Sequence, residues 1–461
     1  MSLLTDLPLA PRDPIIGLTE AFVADPRETK VNLGVGVYTD ENGRVPLLRC
    51  VEQADERVVD GTRPWSYLPI DGLPAYRSAV AGLVFGDELA HERVAVVQGV
   101  GGTGGLKIAA DLVHQTTPDA RVLISDPSWE NHRAIFTRAG LTVDSYPYYD
   151  AQTRSVDVDG MLDALRTAEA GTVVVLHACC HNPTGYDLTP QQWEQVRDVV
   201  VERGLVPLLD MAYQGFAHGI EEDGAAVRLF ARTGVAMLVA TSFSKSFSLY
   251  GERVGALSVV CSDADEAARV QSQLKVIIRT TYSNPPSHGA LVVSTVLGDA
   301  ELRQTWEDEL GSMRERIRAM RTRLRDGLAA AIPGADVEHF VVQNGMFSYT
   351  GLSAEQMRAL REEHGVYGLD SGRICVAALD ERNLPTVIEA VAAVWSPRAG
   401  GGGGGAPAGG GPPPSCSSVL DELSARSGPR PRRPSSRGRC RARGRAGRTA
   451  STPGAARPRC W

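Results

Sequence analysis

No apolar run in this 461-residue chain approaches the roughly 18 residues that a membrane helix needs. Its first residues, Met-Ser-Leu-Leu-Thr-Asp, lack a basic segment followed by an apolar one, so no secretory leader is expected. No CxxC spacing occurs, and Cys50, Cys179, Cys180, Cys261 and Cys375 lie mostly in or beside apolar runs. They read as buried free thiols of a reducing compartment rather than as a disulfide framework or a metal site. These absences point to a cytoplasmic, soluble protein with no membrane partner and no metal.

Lysine is missing altogether from residues 398–461, which carry thirteen arginines against Asp421 and Glu422. The net charge of −7 therefore hides a tail of +11 and a body, residues 1–397, of −18. An acidic body excludes nucleic acid as the partner of the folded part. From Gly400 the tail reads GGGGGAPAGGGPPP and continues in Arg, Pro, Ser and Gly, a composition that buries no core, so residues 398–461 are expected to be disordered. Its abrupt start and missing lysine fit an altered or extended reading frame better than a nucleic-acid-binding arm.

What is present is an alternation of strand-like and helical runs. Pro8, Pro11, Pro14 and Pro26 suit an extended arm at the start. Val31-Asn-Leu-Gly-Val-Gly-Val-Tyr38 is a β-branched run broken by Gly34 and Gly36, where a backbone approaches a ligand or bulges. Residues 94–98 run into Gly99-Val-Gly-Gly-Thr-Gly-Gly105, with an amphipathic helix over 106–113 behind it. Free N–H groups there make an anion site, although no GK[ST] follows and the match to G-x-G-x-x-G is poor. Runs at 121–125, 172–179 and 206–209 end at Asp126-Pro-Ser-Trp129, His181-Asn-Pro-Thr-Gly185 and Asp210-Met-Ala-Tyr213, with helices between. Thr189 is placed as the N-cap of the helix beginning at Pro190. The pattern predicts an α/β fold whose mostly parallel sheet is covered on both faces, with the special residues at the carboxyl ends of strands. Further on, a charged helical stretch at 299–331 is interrupted by Gly311 and Gly327, its arginines forming a solvated face. A smaller α+β part follows, with a strand or hairpin over 340–349.

Residues 239–256 hold a single lysine, Lys245, among hydroxyls and small residues, with Arg253 eight positions later. Flanking apolar runs put Lys245 on a loop at the mouth of the sheet, where α/β proteins carry chemistry. Desolvated there, a lysine loses its proton well below the usual pKa of about 10.4, and a neutral amine attacks carbonyls. Read alone, the stretch equally allows a solvated surface lysine.

Nine segments together are more specific. They are Val31-Asn-Leu-Gly-Val-Gly-Val-Tyr38, Tyr67-Leu-Pro-Ile-Asp-Gly72, Gly101-Gly-Thr-Gly104, His181-Asn-Pro-Thr-Gly185, Asp210-Met-Ala-Tyr-Gln-Gly-Phe216, Ser242-Phe-Ser-Lys245, Tyr250-Gly-Glu-Arg253, Tyr282-Ser-Asn-Pro-Pro286 and Ser371-Gly-Arg373. In this order, over residues 3–397, the chain resembles the class I pyridoxal-phosphate (PLP) aminotransferases, specifically the aspartate and aromatic amino-acid branch. The resemblance implies an N-terminal arm (1–12), a small domain (13–44 and 312–397), a large PLP-binding domain (45–311) and a homodimer with shared sites.

The same resemblance assigns roles. Lys245 would hold PLP covalently and, once displaced by the substrate amine, move the proton. Asp210 would pair with the pyridine nitrogen, with His132 behind it, while Tyr213 and Asn182 reach the phenolic oxygen and Trp129 stacks on the ring. Gly102, Thr103, Ser242, Ser244 and Arg253 would hold the phosphate, joined by Tyr67 from the neighbouring subunit. Arg373 would clamp the substrate α-carboxylate, Gly36 would line the substrate pocket, and Arg279 from the neighbour would meet a side-chain carboxylate. The implied activity is ping-pong transfer of an amino group from aspartate, and from aromatic amino acids, to 2-oxoglutarate. Thr39 and Ser66 depart from the pattern of bacterial aspartate enzymes and leave an aromatic aminotransferase open as the main activity; a PLP β-lyase or decarboxylase is the other alternative on this fold.

Overall fold

The computed structural model of the chain describes residues 4–5, 7–10, 13–60 and 66–395. The tail expected to be disordered and much of the expected arm lie outside the described residues. Those described belong to one compact unit, residues 1–398.

Val- and Leu-rich runs make seven strands: β1 (Val94–Val100), β2 (Arg121–Asp126), β3 (Thr142–Pro147), β4 (Val173–His177), β5 (Val206–Met211), β6 (Met237–Ser242) and β7 (Val254–Val260). They form one sheet in the order β1-β7-β6-β5-β4-β2-β3, parallel except that β7 runs antiparallel to both neighbours. Every residue of β4, β6 and β7 is buried, as strands covered on both faces require. Alternate residues serve opposite cores: Val97, Leu208 and Leu257 pack in one, Val96, Leu209 and Ala256 in the other. Among the described residues no helix is long and apolar enough to cross a membrane.

Four local expectations change. Asp13 caps a helix, α1 (Pro14–Ala24), by accepting from the N–H groups of Ile15 and Ile16. Pro14 occupies a first-turn position, where its missing N–H costs nothing, so the prolines do not make residues 13–24 an extended arm. The glycine run 101–105 is not a loop ahead of a helix; it is the first turn and a half of α2 (Gly101–Thr116). A Cβ on Gly105 would stand 2.7 Å from the Ala256 carbonyl, and one on Gly255 2.3 Å from Gly101. Glycine is there because helix and strand backbones touch.

The charged stretch is one unbroken helix, α3 (Ala300–Ala331). Packing overrides the weak helix propensity of glycine: a Cβ on Gly327 would meet Ile388 at 2.2 Å. Nor are all its arginines solvated. Arg321 is buried and donates to the carbonyls of Phe340 (3.0 Å), Gly345 (2.9 Å) and Phe347 (2.5 Å) and to Ser348 Oγ (2.9 Å). Finally, the 340–349 stretch opens with a helical turn, His339–Val342, and only Phe347–Tyr349 is strand, paired with Arg373–Cys375.

Candidate active site

The carboxyl ends of β4, β5 and β6, the N-terminus of α2 and the 340–349 segment surround a cavity of about 220 Å³. It is lined by Gly36, Gly102, Thr103, Trp129, Asn182, Asp210, Tyr213, Ser242, Ser244, Lys245, Arg253 and Arg373, all singled out from the sequence.

One end of the cavity gathers backbone N–H groups, two serine hydroxyls and a guanidinium, with no carboxylate. α2 has no side-chain cap, so the N–H groups of its first turn are free of helix partners. Ser242 ends β6, and Arg253 Nη1 donates to Ser244 Oγ (3.2 Å) and the Tyr250 carbonyl (3.1 Å). No carboxylate among the described residues pairs with Arg253. Gly101, at φ 68°, is what admits it: a Cβ there would lie 2.4 Å from the guanidinium. Such a cradle suits a dianionic phosphate.

The opposite end is acidic. Asp210, the last residue but one of β5, lies in register with His177 at the end of β4. Asp210 Oδ2, a carboxylate oxygen, accepts from His132 Nε2 at 3.0 Å, and Ser128 Oγ bonds His132 Nδ1 at 2.9 Å, which fixes the ring. Burial alone would raise the Asp210 carboxyl, but the His132 hydrogen bond, with Lys245 nearby, outweighs it and holds it below the usual range. Asp210 is therefore a carboxylate with an acceptor to offer a protonated ring nitrogen.

Lys245 lies between the two ends, its Nζ 4.8 Å from the centre of the Tyr213 ring. Burial brings its pKa down to about 8; Asp210 opposes the shift and Arg253 assists it. Near neutrality a sizeable fraction is a free amine. Above it, Arg373 is buried and donates to Asn182 Oδ1 (3.1 Å) and the Gly34 carbonyl (2.8 Å), with its guanidinium 4.4 Å from the Phe347 ring. Its Nε has no partner. A Cβ on Gly36 would stand 2.6 Å from Phe347, so that glycine is a packing requirement of the same wall.

Two expected residues are elsewhere. Tyr67 is 89% exposed, and Arg279 is exposed and bonded to Ser283; neither lines the cavity of its own chain. Thr39 and Ser66 do not line it either. Ile15, Leu106, His177, Ala212, Tyr250 and Phe347 do, and sequence reasoning missed them. For His177 a signal existed, since it closes the strand beside the one ending in Asp210. Burial lowers its pKa to about 3, and neither ring nitrogen has a partner, so it faces the cavity neutral. Ile15 comes from α1 and has no comparable signal in the sequence.

The donor end, the carboxylate end and the amine between them fit PLP. A family model described as aminotransferase class I and II matches residues 28–391. The aspartate aminotransferase of Pseudomonas aeruginosa is 56% identical over 397 residues, 86% of this chain and 100% of that protein. The aromatic-amino-acid aminotransferase of Escherichia coli is 49% identical over 386 residues, 83% and 97% of the two chains. A crystal structure of the aromatic-amino-acid aminotransferase from Burkholderia pseudomallei, covalently bound to pyridoxal phosphate, superposes with a TM-score of 0.84 at 58% identity, covering 86% of this chain and 100% of that one.

Proposed function

The chain belongs to the class I and II aminotransferase family, and from that premise we propose that it moves the amino group of aspartate, and of aromatic amino acids, to 2-oxoglutarate. It is a PLP-dependent transaminase working by a ping-pong cycle. The observation that carries the reading is the meeting in one cavity of a donor-rich cradle, a hydrogen-bonded carboxylate and an amine of pKa about 8.

Bound PLP supplies an electron sink for charge developing at the substrate Cα. Lys245, which burial lets give up its proton well below the usual lysine range, would take the Cα proton and return it as general base and acid. Asp210, fixed by His132, would keep a proton on the ring nitrogen, and Asn182 and Tyr213 would hold the phenolic oxygen. Arg373 binds the α-carboxylate through a guanidinium already oriented by Asn182, Gly34 and the Phe347 ring, which holds the Cα–H bond toward Lys245. His177 contributes no charge.

The unit is a homodimer in this reading. Arg279 and Tyr67 are exposed and outside their own cavity, which suits delivery to a neighbour's site. In this reading the chain has a small domain of 13–44 and 312–397 and a large one of 45–311; the parallel pairing of Val31–Asn32 with Val366–Tyr367, which joins the small domain's two sequence segments, supports it. A cytoplasmic location is supported by five described cysteines, all free and buried.

A half-reaction panel tests the substrate assignment. Aspartate, glutamate, tyrosine and phenylalanine are mixed separately with holoenzyme, and conversion to the amine form of the cofactor is followed by absorbance. Fast conversion by aspartate with slower conversion by tyrosine is expected, and the reverse ranking makes the aromatic activity the main one. Carbon dioxide or ammonia released without an oxo-acid acceptor would overturn transamination.

A further inference from the structure

Two adjacent cysteines follow the strand that ends at His177. Ala178, Cys179 and Cys180 lead from β4 to His181 and Asn182. Along an extended chain neighbouring side chains point to opposite sides, but Cys180 sits at φ 53°, a left-handed conformation that undoes the alternation. Both thiols consequently come together with Asp223: the two Sγ atoms and a carboxylate oxygen lie within 4.8 Å of one another, on three buried residues. Asp223 is fixed from behind. Its Oδ2 accepts from the N–H groups of Gly215 (2.8 Å) and Ala217 (2.9 Å), and its Oδ1 accepts from that of His218 (2.9 Å), which fixes the carboxylate against the two thiols.

Cys179 and Asp223 also line a cavity of about 750 Å³ that shares no lining residue with the active-site cavity. Its walls include Leu188, Trp193 and Ala226, and exposed His218 and Glu222 stand among its lining. An ion has a route inward, and water has room to complete its coordination.

We propose that Cys179, Cys180 and Asp223 bind a thiophilic divalent metal ion, of the zinc or cadmium class, at a site separate from the catalytic cavity. Two thiolates, one carboxylate and an open position are a donor set such ions take. Zn–S bonds of about 2.3 Å and Zn–O bonds of about 2.0–2.2 Å bring ligand atoms to somewhat under about 4 Å apart, a closure of at most roughly 1 Å from the present spacing. Magnesium and calcium are excluded by their demand for oxygen ligands. On binding, the ion forms two metal–sulfur bonds as two S–H bonds break, and both protons leave to solvent. Cys180 Sγ now lies 3.8 Å from the Tyr213 carbonyl, as its donor, and Cys180 stands two residues before Asn182. Drawing its sulfur onto an ion shifts both active-site residues, so metal occupancy lowers turnover.

The test uses full-length holoenzyme with Cys416, Cys440 and Cys460 replaced by serine, titrated with Cd²⁺ without substrate. Equilibrium dialysis and the ultraviolet thiolate-to-cadmium absorption are expected to give one ion per chain, and turnover to fall with occupancy and recover with a chelator. Cys179→Ser, Cys179→Ala and Cys180→Ser remove that absorption, Cys50→Ser preserves it, and Asp223→Asn weakens binding at least about tenfold. Retained cofactor absorbance shows that each variant is folded. The site is refuted by a parent that binds no cadmium, by unchanged binding in Cys179→Ala, or by unchanged affinity in Asp223→Asn.

Discussion

At the scale of single residues the chemistry depends on how burial acts on groups of opposite charge type. It disfavours the ammonium of Lys245 and would equally disfavour the carboxylate of Asp210, yet the two end on opposite sides of neutrality because Asp210 has His132 as a donor and Lys245 has no anionic partner in contact. The sign of the pH dependence follows. Only the neutral amine attacks the aldehyde of PLP, so covalent uptake of PLP by apoenzyme should accelerate with rising pH through about 8 and level off above it. Stopped-flow absorbance of apoenzyme mixed with PLP measures this, and a profile flat from pH 6 to 9 would contradict a lysine shifted by burial.

At the scale of elements, helix α3 organises loops that its sequence position does not advertise. Arg321 gathers carbonyls of the segment carrying Phe347, the ring against which the Arg373 guanidinium rests. Trp306 Nε1 donates to the Ser246 carbonyl at 2.7 Å, and its ring stacks on Phe247 with centroids 4.7 Å apart, holding the residues next to Lys245. Replacing Arg321 by methionine leaves several buried carbonyls without a donor, each costing about 1–3 kcal/mol. Arg321→Met is therefore expected to lose at least about 3 kcal/mol in denaturant unfolding and to raise KM for oxo acids more than it lowers kcat. Equal stability of variant and parent would mean that water takes over those carbonyls.

At the scale of the whole molecule the proposed sharing of sites between two chains is open to a clean discrimination. Mixing and re-forming dimers from Lys245→Ala and Arg279→Ala chains gives hybrids with one complete site if Arg279 serves its neighbour, and about a quarter of wild-type aspartate turnover returns. If Arg279 serves its own chain, both sites of every hybrid are defective and nothing returns. Sequence by itself determined the sheet, because fully apolar runs separated by amphipathic ones have one stable layering, and it determined the cavity residues whose spacing carries a cofactor. It also placed the Thr189 cap, which the structure bears out as a capping box with Gln192. Only tertiary structure decided the rest. Gly101 and Gly105 lie inside a helix because the backbones of α2 and β7 come together there. Arg321 is buried since the 340–348 carbonyls need a donor. Ile15, His177 and Phe347 reach the cavity through register and packing, which no local pattern encodes, because a side chain's neighbours across a sheet or from a distant helix are set by the closing of the core and not by the residues beside it.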